Sequence, residues 1–409
     1  MERVVSFAGL FVMMGLAWLM SAHKRRIQWR IIAGGLALQF VFAYLTLRTE
    51  PGRAVFAKLG EIFTALLKFV DVGSEFVFGI RTEGERGTQL LGSFAFGVLP
   101  SIIFFSALMS ILYHFRLMQP IVRLAAIVMQ KVLNISGAES LSVAANIFLG
   151  QVEAPLVVRP YLSTMTQSEL MAIMMAGFAT VAGGVMAAYV QMGISAGHLV
   201  TASVISAPAA IVIAKIMQPE VEEPLTRGRM AVDVEHTTIN ALDAAATGAL
   251  DGMKLALQVA GIVIAFLALI AMFKFVIAWM LGLFGYELTL EDLLGYLFAP
   301  FALAMGIESH DCLKAGELLG MRMISNEFIA YVELGEIIKE GSQLSPRTQT
   351  LLTYALCGFA NFGSIGVQLG GIGAAAPSRQ ADLARLGLRA MLGGTLACFM
   401  TACVAGMLI

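Results

Sequence analysis

Two glutamates in this 409-residue chain occupy places where a carboxylate is costly. Glu153 lies in Asn146-Ile147-Phe148-Leu149-Gly150-Gln151-Val152-Glu153-Ala154-Pro155, and Glu327 lies in Ser325-Asn326-Glu327-Phe328; both interrupt stretches that are otherwise soluble in lipid. A charge at mid-membrane depth costs about 2.5–3.5 kcal/mol on insertion scales, so each needs a partner, a water-filled cavity or a ligand. Gln151 and Asn326 add amides beside them, and Asn361 and Ser364, at i and i+3, share one helix face next to a further interruption. Such a set can hydrogen-bond a polar solute. Asn146 and Thr180 offer neutral side-chain oxygens, and frayed backbone at Leu149 and Val181 offers carbonyls, a donor set that suits a hard cation such as Na⁺. Phe359, flanked by small residues, can present an aromatic face to a ring.

Plainer roles exist for each group. The glutamates can pair with Arg159 or Arg322 and fasten the chain, Asn146, Asn361 and Ser364 can cap half-helices, and Phe359 can face the core or lipid. Two carboxylates at helix breaks in corresponding halves favour a shared polar cavity. Enzymatic chemistry has little footing: there is no H-E-x-x-H, Ser364 is not in a G-x-S-x-G frame, and the glycines at 370, 371 and 373 lack the following Lys-Ser/Thr of a phosphate loop. The four cysteines show no metal-ligand spacing and read as small packing residues.

The elements that carry these groups are helical and membrane-embedded. With 58% hydrophobic and 13% charged residues the chain is an integral membrane protein, and a net charge of −1 without a dense basic run excludes nucleic acid as partner and a polybasic surface anchor. Apolar runs at 4–21 and 31–47 are each near the ~20 residues needed to span. His23-Lys24-Arg25-Arg26 between them marks the cytoplasmic side and a retained first span rather than a cleaved signal. Residues 53–70 form an amphipathic interfacial helix, 90–113 a span, and 117–132 a surface helix.

From Ser136-Gly137-Ala138-Glu139, a capping-box signature, two short halves meet at 150–153 and end near Thr166. Neither can cross alone, so they form a re-entrant hairpin. Residues 170–189 are long enough to cross but carry a glycine-rich break at 177–184, and 198–217 cross next. A linker at 219–229 leads to a stripe of His236, Asn240, Asp243, Thr247, Asp251 and Lys254, read as a separate surface helix.

The second half repeats this order: a span at 255–283, a surface helix at 288–305, a hairpin at 311–341 meeting near 325–328, a span at 350–376 broken at 358–366, and a last span at 383–408. Hairpins do not cross, so each unit crosses three times and the second is inverted relative to the first. Inverted repeats with broken helices are the architecture of secondary transporters. The fold expected is an all-α polytopic membrane protein with about eight transmembrane helices, two re-entrant hairpins and interfacial helices. Its divisions are 1–89, 90–135, 136–195 (first half of a transport domain), 196–310, 311–380 (second half) and 381–409.

Gly150-Gln151-Val152-Glu153-Ala154-Pro155-Leu156, Lys314-Ala315-Gly316-Glu317-Leu318-Leu319-Gly320, Asn326-Glu327-Phe328-Ile329-Ala330-Tyr331 and Cys357-Gly358-Phe359-Ala360-Asn361 resemble, in order and spacing, the signature motifs of the concentrative nucleoside transporters. The resemblance implies a homotrimer in a bacterial inner membrane, with a scaffold domain and a transport domain that moves like an elevator. It implies import of nucleosides such as uridine by Na⁺ symport, with Na⁺ as coupling ion and no organic cofactor. H⁺ coupling on the same fold is the nearest alternative; a channel or an intramembrane enzyme is more distant. By motif position Gln151 and Glu153 would bond the base, Glu327, Asn361 and Ser364 the ribose, and Phe359 and Val185 would line the pocket. Asn146 and Thr180 side chains with the Leu149 and Val181 carbonyls would hold Na⁺. Val152 stands where some relatives carry a hydroxyl, and Ser309-His310 where many carry an aromatic residue; His310 reads as a loop residue.

Overall fold

The computed structural model describes residues 1–79, 93–228, 238–282, 289–341 and 344–409. Every regular element among them is a helix. Helices α1 (Glu2–Leu19) and α2 (Trp29–Leu47) flank the basic loop. The interfacial helix α3 (Glu50–Phe78) is longer than its amphipathic stripe suggested. Thr49 starts it by accepting a hydrogen bond from Gly52 N at 3.1 Å, and Gly79 ends it at φ 64°, a left-handed conformation that costs glycine little. A π-helical turn (Phe94–Val98) leads into α4 (Leu99–His114); residues 90–92 of the expected span lie outside the described residues. Surface helix α5 (Gln119–Leu133) follows.

The first hairpin begins with α6 (Gly137–Ala145), capped by Ser136 Oγ accepting from Glu139 N at 3.2 Å. Only half of the expected capping box forms. The Glu139 carboxylate turns instead to Lys215 Nζ at 2.7 Å, and the Ser136 hydroxyl donates to Glu169. Beyond the tip the returning half is two single turns, α7 (Glu153–Leu156) and α8 (Arg159–Leu162). Pro160 has no N–H and pushes Val158-Arg159 away from continuous helix, with Val158 at φ −112°, ψ 21°.

The first broken helix is α9 (Gln167–Ala179) and α10 (Gly183–Gln191), interrupted by extended backbone at Thr180 and Ala182. α11 (Ala196–Met217) comes next. The stripe expected to make a separate surface helix is instead continuous with the following span: α12 (Ala241–Gly282) runs 42 residues without interruption, while His236 lies outside the described residues. Surface helix α13 (Leu290–Ala304) carries a full capping box between Thr289 and Asp292. The second hairpin is α14 (Cys312–Ile324) and α15 (Glu327–Glu340), the second broken helix α16 (Pro346–Leu356) and α17 (Phe362–Ala375), and the last span α18 (Gln380–Leu408).

Seven stretches among the described residues are long and apolar enough to cross a membrane. The halves of the α16–α17 pair, 11 and 14 residues, are each too short to be counted among them. Arg3 Nε donates to the Ile409 carbonyl at 3.1 Å, which places both ends of the chain at one face. Burial separates the spans: 89% of the α11 span and of the α9–α10 span is buried, against 7% of α12. The broken helix, α11 and α18 therefore form the centre, and α12 an outer rail. Close approach at the centre rests on small residues; a Cβ at Gly394 of α18 would fall on Phe178 of α9.

Candidate functional site

Two hairpin tips and two helix breaks meet in the interior. The first contact is through the backbone: Gly183 N, at the start of α10, donates to the Phe148 carbonyl of the first tip at 3.1 Å. The second joins the two breaks, since Gly358 takes φ 130° and a Cβ there would lie 2.8 Å from the Ala179 carbonyl carbon. The Gly358 contact tolerates no side chain, whereas an added Cβ at Gly183 would sit tightly, 3.2 Å from the Phe148 carbonyl oxygen.

Around the first break, Asn146 is wholly buried, and neither Oδ1 nor Nδ2 finds a hydrogen-bond partner among the described residues. A buried amide left unpaired costs about 1–3 kcal/mol, so the position is kept for something other than packing. Thr180 is buried as well; its hydroxyl donates to the Ala176 carbonyl at 2.9 Å, leaving the oxygen lone pairs to accept or ligate. No backbone donor among the described residues reaches the Leu149 or Val181 carbonyl. These four groups are neutral oxygens at the end of α6 and in the unwound α9–α10 link, the donor chemistry a small hard cation takes.

The second tip is built more tightly. Glu327 is buried, its Oε2 accepting from Asn361 Nδ2 at 2.8 Å and its Oε1 from the Tyr189 hydroxyl at 3.3 Å. Asn361 Oδ1 accepts from Ser364 N at 2.8 Å and caps α17, and Asn326 caps α15 in the same way through Ile329 N at 3.0 Å. So Asn361 and Asn326 do cap helices, and Asn361 also orients the carboxylate. Among the described residues neither glutamate is held in an ion pair: Arg322 donates to the Ala355 carbonyl at 2.7 Å and to Cys398 Sγ at 3.2 Å, and Arg159 is exposed.

One helix face spans the two tips. Gln368, one turn beyond Ser364 on α17, donates from Nε2 to Gln151 Oε1 and to the Met174 carbonyl, both at 3.1 Å. Asn361 and Gln368 are seven residues apart, about 10 Å along a helix. α17 thus carries the contact with Glu327 at one end and, two turns on, the contact with Gln151 of the first tip. Val152 packs against Gly371, where any Cβ would strike its methyl groups. Glu153 is exposed, its carboxylate folded back over Gly150. Val185 is buried and Phe359 half-buried. Tyr189 and Gln368 join the site without having been expected there. Gln368 carried the usual signal, an amide inside an apolar run, and Tyr189 follows Val185 by one turn.

Residues 198–406 match the family description "Na+ dependent nucleoside transporter C-terminus", residues 8–80 its N-terminal counterpart, and residues 95–196 a "Nucleoside recognition" gate description. The chain belongs to the Na⁺ dependent nucleoside transporter family. An uncharacterized transporter of Haemophilus influenzae is 41% identical, with 100% of this chain matched to 98% of that one. Solute carrier family 28 member 3 of mouse is 43% identical over the whole chain, which spans only 59% of the mouse protein. The structure of CNTnw in an inward-facing substrate-bound state superposes with a TM-score of 0.92 at 39% identity, covering 100% of this chain and 98% of that one. A substituted CNTnw in an outward-facing state gives 0.94, again at 39% identity, covering 100% and 99%. Membership confirms an all-helical, multi-pass membrane protein of a transporter family rather than an enzyme.

Proposed function

We propose that this protein imports nucleosides such as uridine across a bacterial inner membrane, by Na⁺ symport and an elevator-type alternating-access movement, as a homotrimer. The observation that carries the reading is the α17 face, which joins Glu327 through Asn361 and Gln151 through Gln368. A nucleoside has two chemically distinct ends, and this face offers two distinct polar ends. Glu327, Asn361 and Ser364 take the ribose hydroxyls, for which a carboxylate is the strong acceptor. Gln151 and Glu153 take the donor and acceptor edge of the base, while Val152, Val185 and Phe359 supply apolar walls.

Na⁺ travels as co-substrate on Asn146 Oδ1, Thr180 Oγ1 and the Leu149 and Val181 carbonyls. The wholly buried, unpartnered Asn146 supports this assignment. Asn146 and Leu149 share one tip with Gln151 and Glu153, so an ion that draws the tip onto the α9–α10 break also sets the base-binding side chains. That is coupling in structural terms. The moving body comprises 136–195 and 311–380, and it rides past a scaffold containing α3, α4 and α12.

Radiolabelled uridine uptake into proteoliposomes tests the reading. Accumulation driven by an inward Na⁺ gradient, saturable and yielding unmodified uridine, is expected. Accumulation driven by a proton gradient alone transfers the coupling to H⁺; unsaturable flux makes the protein a channel. Competition by a series of nucleosides then settles base preference, which Val152 shapes by removing a hydroxyl.

A further inference from the structure

Outside the transport site, the connection between α13 and α14 brings three metal-ligating side chains together. His310 Nε2 stands 3.4 Å from Glu308 Oε2 and 3.4 Å from Asp311 Oδ1, and all three ligand atoms lie within 4.8 Å of one another. Two atoms each about 2.0–2.2 Å from a tetrahedral Zn²⁺ are separated by about 3.3–3.5 Å, so both distances from the imidazole are those of a tetrahedron's edge. They are long for charge-assisted hydrogen bonds, which close to about 2.7–2.9 Å.

The three groups also differ in the way a bound ion needs. Asp311 is anchored: its side chain is 2% exposed, and its Oδ2 accepts from Ser345 N at 3.1 Å, leaving Oδ1 for the cluster. His310 is 71% exposed, so ligands or water reach the fourth position from solvent. Two carboxylates balance a divalent charge, and a neutral imidazole selects Zn²⁺ or its transition-metal neighbours over Mg²⁺ and Ca²⁺. Arg347, whose charge acts on Glu308, is held on the Gly306 and Gly406 carbonyls.

We infer that Glu308, His310 and Asp311 form a surface site for one divalent transition-metal ion at the foot of the second hairpin. The site lies at the face that carries both chain termini, since Ser6 Oγ donates to the Met305 carbonyl at 2.8 Å and Arg347 to that of Gly406. With the His23–Arg26 loop cytoplasmic, that face is the outer one. Asp311 precedes α14, and Ser345 precedes α16, so an ion on Asp311 ties the entry of the hairpin to the entry of the second broken helix.

Tag-free protein in chelator-free detergent solution, titrated with ZnCl₂ in a calorimeter, is the test. One Zn²⁺ per chain is expected, with a rise in melting temperature, and no saturable binding of CaCl₂. Co²⁺ in its place should give visible absorption of a tetrahedral nitrogen–oxygen site. His310→Ala, at an exposed position, and Glu308→Gln should each weaken binding at least about 10-fold, since even loss of an outer-sphere partner costs 10- to 100-fold. Absence of saturable Zn²⁺ binding in the wild type, or undiminished binding in His310→Ala, overturns the site and leaves the triad an ion pair.

Discussion

Glu327 receives two hydrogen bonds, at 2.8 Å from Asn361 Nδ2 and at 3.3 Å from the Tyr189 hydroxyl, and a carboxylate is a stronger acceptor than an amide. Glu327→Gln keeps the volume but replaces a carboxylate with an amide, whose NH₂ must face one of the two donors, Asn361 Nδ2 or the Tyr189 hydroxyl, in place of an accepting oxygen. Hydrogen bonds to charged groups contribute about 1.5–3 kcal/mol, so uridine affinity should fall roughly 10- to 150-fold. The loss should be specific: 2′- and 3′-deoxyuridine should compete less well than uridine for the wild type but nearly as well as uridine for the variant. Glu153→Gln should instead alter the ranking of bases and spare the ribose analogues. Unchanged uridine affinity in both variants, measured calorimetrically, would make the two carboxylates structural. Asn146 permits a test by sign. As an unpartnered buried amide it destabilises the ion-free protein, so Asn146→Ala should melt at the same temperature or higher without Na⁺. The same variant should lose the Na⁺-dependent rise of the wild type and need at least tenfold more Na⁺ for half-maximal uptake. A Na⁺-dependent rise that survives the substitution would remove Asn146 from the ion site.

At the scale of elements, the junction of the two breaks is the least forgiving contact. Gly358 sits at φ 130°, and an added Cβ would strike the Phe178 carbonyl oxygen and lie 2.8 Å from the Ala179 carbonyl carbon. Gly358→Ala should therefore cost more than about 2 kcal/mol, from backbone strain plus displacement of α9. Gly366, on α17 with nothing within 4 Å of an added methyl, is the control: Gly366→Ala should be neutral or stabilise by up to about 1 kcal/mol. Thermal unfolding in detergent checks both, and equal melting points would show that the breaks are not locked together. Most elements were legible in the sequence because membrane helices must satisfy their backbone internally, and hydropathy runs near 20 residues report that directly. The breaks were legible for the converse reason, that glycine and polar residues inside such runs need a cavity. What escaped depended on distant parts of the chain. Continuity of α12 hid behind an amphipathic stripe because α4 packs on its polar start, where Gly248 and Gly252 meet Ser106 and Ser110. The Glu139 side of the capping box was lost to Lys215, 76 residues away, a pairing that no local pattern announces. Gln368 and Gln151, 217 residues apart, meet for the same tertiary reason.

For the molecule as a whole, burial divides the chain into a packed centre and an outer frame, and an elevator requires that the two slide. In the proposed elevator the sliding surface is where α10 faces α4. Gly183 and Gly184 open α10, and a Cβ at Gly183 would stand 3.8 Å from Met109 Cγ, while one at Gly184 would stand 3.0 Å from Ser106 Oγ. Small residues on the moving side leave a smooth track with few interdigitating side chains to unlock. α12 packs on the same turn of α4, Gly248 and Gly252 meeting it at Ser106, and is otherwise largely exposed, with apolar area to meet lipid or, in the proposed trimer, the other copies. With Met109 Cγ 3.8 Å from an added Cβ at Gly183, cysteines at the two positions come within reach of a disulfide after a small side-chain adjustment. Gly183→Cys combined with Met109→Cys should therefore cross-link under mild oxidation; the four native cysteines are buried, which keeps them from competing. Oxidised protein should bind uridine with affinity within about threefold of the reduced form, because the site travels intact within the moving body, yet it should lose nearly all uptake, and dithiothreitol should restore it. Full uptake by the cross-linked protein would show that α10 does not move past α4, and transport would then have to proceed by local gating of the hairpins around a fixed site.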